Sequence, residues 1–431
     1  MSAFSTTARA ERRRGRGPSA RSSGPRPGLP GLIRALAACH FVSRAGGFAQ
    51  TFLVLYLTED RRLSPTTAGT VAAAVGAGTA GSLLIGGWLS DRVGRRRTML
   101  AGYLGTALAL TALGSAATMP AIWASAAGVG LVSELSRPAG SATVADLPHP
   151  RERIRAFGLL FWAANLGFSV STVTGGILVQ HGYRLLFWLN AAASVAAALI
   201  VWRRVPETRP PTPRASRRAL LPVVLRDRLL ITMALIFVAH FSMFFQAFST
   251  LPLAMAADGL PAATYGTVLA ANGIMILAAQ PLAVRLLAGR DPYSVLSASM
   301  LLVGMGLGLN SIVHTGAGYA GSVLVWTAGE VGVAVMFGAT FAGLAPADLR
   351  GGYMGVAATA WAVGGVLGPL LGPALLERVG PAPLWAGCTV TGVALFAVQQ
   401  AAAPALRRRT SERDDQEPPA REHTSRGGRR W

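Results

Sequence analysis

The sequence predicts an all-α membrane protein with twelve transmembrane helices, arranged as two pseudo-symmetric bundles of six. Three observations predict it. Only 14% of the residues are charged and the mean hydropathy is +0.43, where a soluble domain carries about 25% charged residues. Apolar runs of roughly 20 residues, the length that spans a bilayer, recur along the chain. The runs fall six and six about a polar linker, and glycines in the fifth and eleventh runs repeat at one spacing.

Residues 1–31 are rich in Arg, Ser, Gly and Pro and cannot bury a core, so a disordered basic tail is expected. Apolar runs near 32–57, 66–89, 98–117, 121–143, 155–179 and 183–203 place an N-terminal bundle over 32–204. Residues 205–227, which contain TRPPTPRASRR, read as a linker. Six more runs, near 228–256, 263–287, 294–313, 317–340, 353–377 and 382–404, place a C-terminal bundle over 228–404. A charged, disordered tail is expected over 405–431.

All 40 basic residues are arginine, and the formal net charge is +21. They gather in the tails, the 90–97 loop, the 151–155 loop and the linker. Membrane proteins keep positive charge on the cytoplasmic side, so a multi-pass protein of the cell membrane with both termini in the cytoplasm is expected. The tails are poor in aromatics, so attraction to anionic lipid accounts for their charge and nucleic-acid binding is not expected. No GxxxxGK[ST] phosphate loop and no metal-ligand motif occurs. Cys39 and Cys388 lie inside apolar runs and form no disulfide framework. No cofactor, no metal and no enzymatic chemistry are expected, and the protein is expected to be a monomer.

The fifth run carries Gly158, Gly167, Gly175 and Gly176; the eleventh carries Gly355, Gly364, Gly368-Pro369 and Gly372-Pro373. Gly158 to Gly355 and Gly167 to Gly364 are both 197 residues, and Arg153 maps onto Arg350 by the same step. Small residues let membrane helices pack closely, and halves related by such a repeat rock about a site between them.

The segment Gly87-Trp88-Leu89-Ser90-Asp91-Arg92-Val93-Gly94-Arg95-Arg96-Arg97 follows the second run. It resembles the G-x-L-x-D-R-x-G-R-[RK] loop signature of the major facilitator superfamily, and the resemblance covers about residues 32–404. It implies two six-helix bundles working by alternating access. It also implies a latch for the outward-facing state formed by Asp91, Arg95 and Asp146, with Gly87, Arg92, Gly94 and Arg96 completing the motif. Gly87 is expected to admit a neighbouring helix, and Asp91 to sit near a helix N-terminus, where the dipole favours an acid. The second half has a reduced copy around Arg285, Gly289 and Arg290.

The glycines of the fifth run resemble the antiporter signature G-x8-G-x3-G-P-x2-G-G, with Ser171 and Thr172 in place of Gly-Pro; the eleventh run carries a Gly-Pro version. The resemblance is to the twelve-helix drug/proton antiporter branch. It implies proton-coupled efflux of small organic compounds, with the proton gradient as energy source. The altered signature keeps uptake of a small polar or anionic metabolite as an alternative. A membrane-embedded enzyme or receptor is the alternative from another class, which the loop and the repeat oppose.

Four ionisable residues stand about 12–13 residues into their runs, roughly 18–20 Å along each helix and near mid-bilayer: Arg44, Glu134, His240 and Glu330. Such residues are costly in a membrane and mark functional sites. Arg44 is expected to pair with Glu134 or with Glu330, and Arg137 lies one turn from Glu134, at the cavity or its cytoplasmic opening. Glu330 is the first candidate proton carrier, since burial favours the neutral form of a carboxyl. Glu134 and His240 are the others. Phe48, Asn165, Phe244, Gln246, Asn272 and Trp326 are the candidate substrate contacts, because aromatic and amide side chains make adaptable pockets.

Overall fold

The computed structural model describes residues 29–147, 150–208, 226–346 and 349–414. Most of the expected tails and the centre of the linker lie outside the described residues. Within them the chain is helical, joined by short turns. The first half contains α1 (Leu29–Ala45), α2 (Phe48–Leu55) with a π turn over Tyr56–Asp60, α3 (Pro65–Arg92), α4 (Arg95–Ser115), α5 (Met119–Ser133), α6 (Ser136–Ala145), α7 (Pro150–Leu178) and α8 (Tyr183–Arg204). The second half contains α9 (Arg228–Phe244), α10 (Gln246–Ser249), α11 (Leu251–Ala257), α12 (Ala262–Leu287), α13 (Pro292–Gly308), α14 (Gly316–Leu344), α15 (Arg350–Val379) and α16 (Pro381–Asp414).

With α9 to α11 taken as one, ten helices are long and apolar enough to cross a membrane. The other two spans are α1–α2 and α5–α6, each interrupted midway, which brings the spans to twelve. The interruptions have local causes. Gly46 lies so close to α8 that a Cβ on it would stand 2.2 Å from the Ala193 Cβ. At the second break, Pro138 has no N–H for the Glu134 carbonyl, which accepts from the Arg137 N–H at 3.1 Å, and the Glu134 N–H donates to Ser82 Oγ of α3 at 3.2 Å. Helix starts follow the usual capping chemistry. The Ser64, Asp227 and Asp291 side chains accept from Thr67, Leu230 and Ser294 N–H at 3.2, 3.2 and 2.8 Å.

One helix departs from expectation. Residues 405–414 continue α16 where a disordered tail is expected. Their arginines find acids: Arg407 reaches Asp291 at 2.7 Å, and Arg409 makes a two-pronged contact with Asp227.

Two helix pairs make the main contact between the halves, α3 with α15 and α7 with α12, and α2 adds contacts with α10 and α11. Both pairs run antiparallel and touch through glycine. A Cβ on Gly69 would stand 2.3 Å from the Pro369 carbonyl oxygen, and one on Gly76 would stand 2.3 Å from that of Gly365. On the other pair, a Cβ on Gly266 would meet the Thr172 carbonyl at 2.2 Å, and one on Gly176 would meet Ala263 Cα at 2.9 Å. These contacts lie toward the end opposite the arginine-rich loops. There the Glu377 carboxylate of α15 also accepts the N–H and hydroxyl of Thr66 of α3, at 2.9 and 2.6 Å. Toward the basic end, Cβ atoms on Gly87 of α3, Gly158 of α7 and Gly355 of α15 would meet nothing within 4 Å. The halves therefore close at the far end and part toward the basic end, leaving a cleft between them.

Candidate functional site

The first-half wall of the cleft is charged. Arg44 sits where α1 stops and Glu134 where α5 stops, so both side chains stand at the interruptions. Arg44 Nη2 lies 3.3 Å from Glu134 Oε1, and Arg137 Nη1 lies 3.6 Å from Glu134 Oε2. One carboxylate therefore serves two guanidiniums, and the cluster carries one net positive charge. The Arg44 side chain is 41% exposed and that of Arg137 56%. A guanidinium facing hydrocarbon at this depth is costly, which assigns the exposure to the cleft. Arg44 rests on α7, where a Cβ on Gly167 would stand 2.9 Å from the Arg44 Cβ.

The second-half wall is aromatic and carries one carboxyl. Asn272 of α12 donates through Nδ2 to Glu330 Oε2 at 2.6 Å and to Thr327 Oγ1 at 2.9 Å, both on α14. The Trp361 ring of α15 lies 4.7 Å from Phe241 and 5.2 Å from Phe245, in edge-to-face contacts. Phe244 and Trp326, 5.8 Å apart, form a second layer behind them. Glycine lets the layer close up: a Cβ on Gly364 would stand 2.4 Å from the Phe241 Cβ.

The inter-half contacts fix the relative depth of the two walls. Ser82, which binds Glu134, is six residues beyond Gly76, about 9 Å along α3; Trp361 is four residues before Gly365, about 6 Å along α15. On the other pair, a Cβ on Gly273 would lie 3.3 Å from the Asn165 carbonyl oxygen. That places Asn272 and Glu330 within a turn of Gly167 and hence of Arg44. The ion cluster, Glu330 and Trp361 thus lie at about the same depth.

A third cluster lies at the basic end. Arg95 is buried at the start of α4 and reaches Asp146 at 3.3 Å, Asp91 at 3.4 Å and the Ser90 carbonyl at 3.0 Å. Gly94 before it has φ +112°, a conformation suited to glycine. The Arg92 guanidinium stacks 5.0 Å from the Trp88 ring, and Arg96 donates to the Trp202 carbonyl.

The family model described as the Major Facilitator Superfamily matches residues 36–369 and again 247–428. The chain belongs to this superfamily. Its members are transporters, so this protein is a transporter and not an enzyme. It is 25% identical over 355 residues to an uncharacterized MFS-type transporter, YqjV, of Bacillus subtilis, covering 80% of this chain and 86% of the relative. It is 29% identical over 297 residues to the multidrug resistance protein MdtH of Yersinia pestis, covering 66% and 71%. Among solved structures, a nucleoside transporter, NupG, superposes with a TM-score of 0.76 at 12% identity, over 86% of this chain and 99% of that one. That likeness shows the shared fold.

Several superfamily positions differ from expectation. Gly87 meets no neighbour, whereas Gly86 does: a Cβ on it would stand 2.7 Å from the Leu135 carbonyl oxygen. Asp91 stands in the last turn of α3, so it caps no helix N-terminus. Glu207 fills that role, accepting the Arg95 N–H at 2.7 Å. Gly158 and Gly355 pack on nothing because they lie where the halves part, while Gly167, Gly175, Gly176, Gly364, Gly368 and Gly372 all press on neighbours. His240 is enclosed between Phe237 and Phe241 and does not face the cleft. Phe48, Phe244 and Trp326 are likewise enclosed. The Gln246 amide is bound to the Ser242 and Gly368 carbonyls and the Thr250 hydroxyl. Asn165 donates to the Phe161 carbonyl of its own helix, and Asn272 is held by Glu330 and Thr327.

In the second half, Gly289 repeats the positive φ of Gly94, but Arg290 donates to the Leu286 carbonyl. The acid pairs lie elsewhere. Asp227 accepts from Arg409 and from the Tyr353 hydroxyl. Burial opposes its charge, yet these donors and the Leu230 N–H hold its carboxyl below the ordinary value. Hydrogen bonding to Arg407 holds Asp291 down at about 2.

Proposed function

We propose that the protein exports small organic compounds across the cell membrane in exchange for protons, by alternating access, with Glu330 as the proton carrier. The observation that carries this is the contrast between the two mid-level acids. Protonating Glu134 would leave the Arg44 and Arg137 guanidiniums facing each other without an anion. Glu330 is bonded by a neutral amide, so it can gain or lose a proton without stranding a cation. Likeness to a multidrug resistance protein favours efflux. With the basic end cytoplasmic, the cleft opens inward. Arg95, Asp91 and Asp146 then lie together within the first half, poised to latch the outward-facing state, while Thr66 and Glu377 hold the outer end shut. The protein acts as a monomer, with its basic end against anionic lipid.

The test uses everted membrane vesicles with an inside-acid gradient and a pH-sensitive dye. A substrate should dissipate the gradient only where the protein is present, and Glu330→Gln should abolish the response. Undiminished dissipation by Glu330→Gln removes Glu330 from the role. A second reading, uptake of a small anionic metabolite, is favoured by the exposure of Arg44 and Arg137. Accumulation of such an anion by right-side-out vesicles would select it.

A further inference from the structure

We infer that the cleft takes amphipathic organic acids, with a flat apolar body against Phe245 and Trp361 and an anionic head on Arg137 and Arg44. This rests on the transport reading above and names the substrate class of the same site. The argument begins with charge. At the level of the interruptions the first-half wall holds two guanidiniums and one carboxylate. His40, one turn before Arg44, faces Gly140, whose built Cβ would stand 3.7 Å from His40 Nε2. His40 brings no negative charge. The acid across the cleft, Glu330, is bonded to Asn272 on its own wall. The first-half wall therefore carries one net positive charge.

Donor geometry points the same way. Each guanidinium meets Glu134 through a single nitrogen, at 3.3 and 3.6 Å. A guanidinium carries five N–H donors in a planar fork that suits carboxylate, sulfonate or phosphate. Most of that capacity, on Arg137 above all, faces open space in the cleft. The opposite wall offers a contrasting surface. Phe245 and Trp361 are partly exposed rings, backed by Phe241 and Phe244, and edge-to-face packing holds them in place. Flat apolar groups are the natural complement of such a surface. A lipophilic cation would also be drawn to the rings, but it would sit opposite the net positive charge of the first-half wall. An organic acid satisfies both walls at once, and the two walls stand at the same depth.

The test is equilibrium binding to the purified full-length protein in lipid nanodiscs. The probes are naphthoate, naphthamide and naphthyltrimethylammonium, which share one ring system and differ in charge. Naphthoate should bind about tenfold or more tighter than the cation. Arg137→Gln should weaken naphthoate by about tenfold and leave naphthamide unchanged, while Trp361→Ala should weaken both. Preference for the cation, or naphthoate binding indifferent to Arg137→Gln, overturns the inference. If Arg137→Gln does not fold, the three-probe ranking on the unaltered protein decides alone. The transport reading is separated by the vesicle assay. Naphthoate binding without proton-linked movement sinks export and leaves this inference standing; proton-linked movement of the cation alone does the reverse.

Discussion

Position 44 and position 240 are 196 residues apart, and so are 134 and 330. The two halves therefore place an acid at the same point of their repeat and treat it differently. In the first half both helices break at the acid and its basic partner, and Glu134 is held between Arg44 and Arg137. In the second half α14 runs unbroken through Glu330, the residue equivalent to Arg44 is His240 enclosed among phenylalanines, and the acid is held by Asn272. The difference teaches how a duplicated scaffold divides its labour. On the function proposed above, one copy keeps a fixed charge cluster that recognises, and the other keeps a carboxyl that changes charge, set in an aromatic wall.

Exchanging the acids for amides attacks that division most directly. Glu134→Gln should lower the thermal midpoint and abolish all transport, because two guanidiniums lose their shared anion, at about 1 kcal/mol given their exposure. Glu330→Gln should leave the midpoint near that of the unaltered protein and abolish only the proton-linked response. Equal destabilisation by both would erase the distinction. Next in size are the glycines. Gly76→Leu and Gly266→Leu should prise open the far end, because their side chains would enter opposing backbone. Labelling of a cysteine placed at Thr66 should then rise. Gly158→Leu and Gly355→Leu meet nothing in this state. They should fold normally and slow turnover, since in the proposed alternating-access cycle the halves meet there when the cleft closes. The smallest effect belongs to Asp291→Asn. With its folded value at about 2 and an ordinary value of about 3.9, the Asp291 pair contributes stability above pH 3.9 and loses it only as pH falls toward 2. At neutral pH the substitution should shift the midpoint by about 2 °C or less, because the pair is partly exposed.

The family and the membrane class were legible in the sequence, because apolar run length and the Asp91–Arg97 loop report them directly. Arg44, Glu134 and Glu330 stood out for their depth. What stayed hidden depended on tertiary contact. Phe244 and Trp326 carry the aromatic signal, yet partly exposed Phe245 and Trp361 form the front layer, and composition does not order layers. Glu207 meets Arg95 across 112 residues, and Asp227 meets Arg409 across 182. No local pattern marks either pair. The 196-residue step linking Arg44 to His240 and Glu134 to Glu330 was available, since it differs by one from the glycine step. It would have shown that the four depths are two equivalent pairs.

The central claim is that the proton resides on Glu330 and not on the Arg44–Glu134–Arg137 cluster. The most direct measurement is proton release by the purified protein in weakly buffered solution as naphthamide, the uncharged probe, is added, because a bound anion would itself favour protonation of a nearby carboxyl. The account predicts release from the unaltered protein, and naphthamide binding without release from Glu330→Gln. Full release from Glu330→Gln would contradict it and place the proton elsewhere in the cleft.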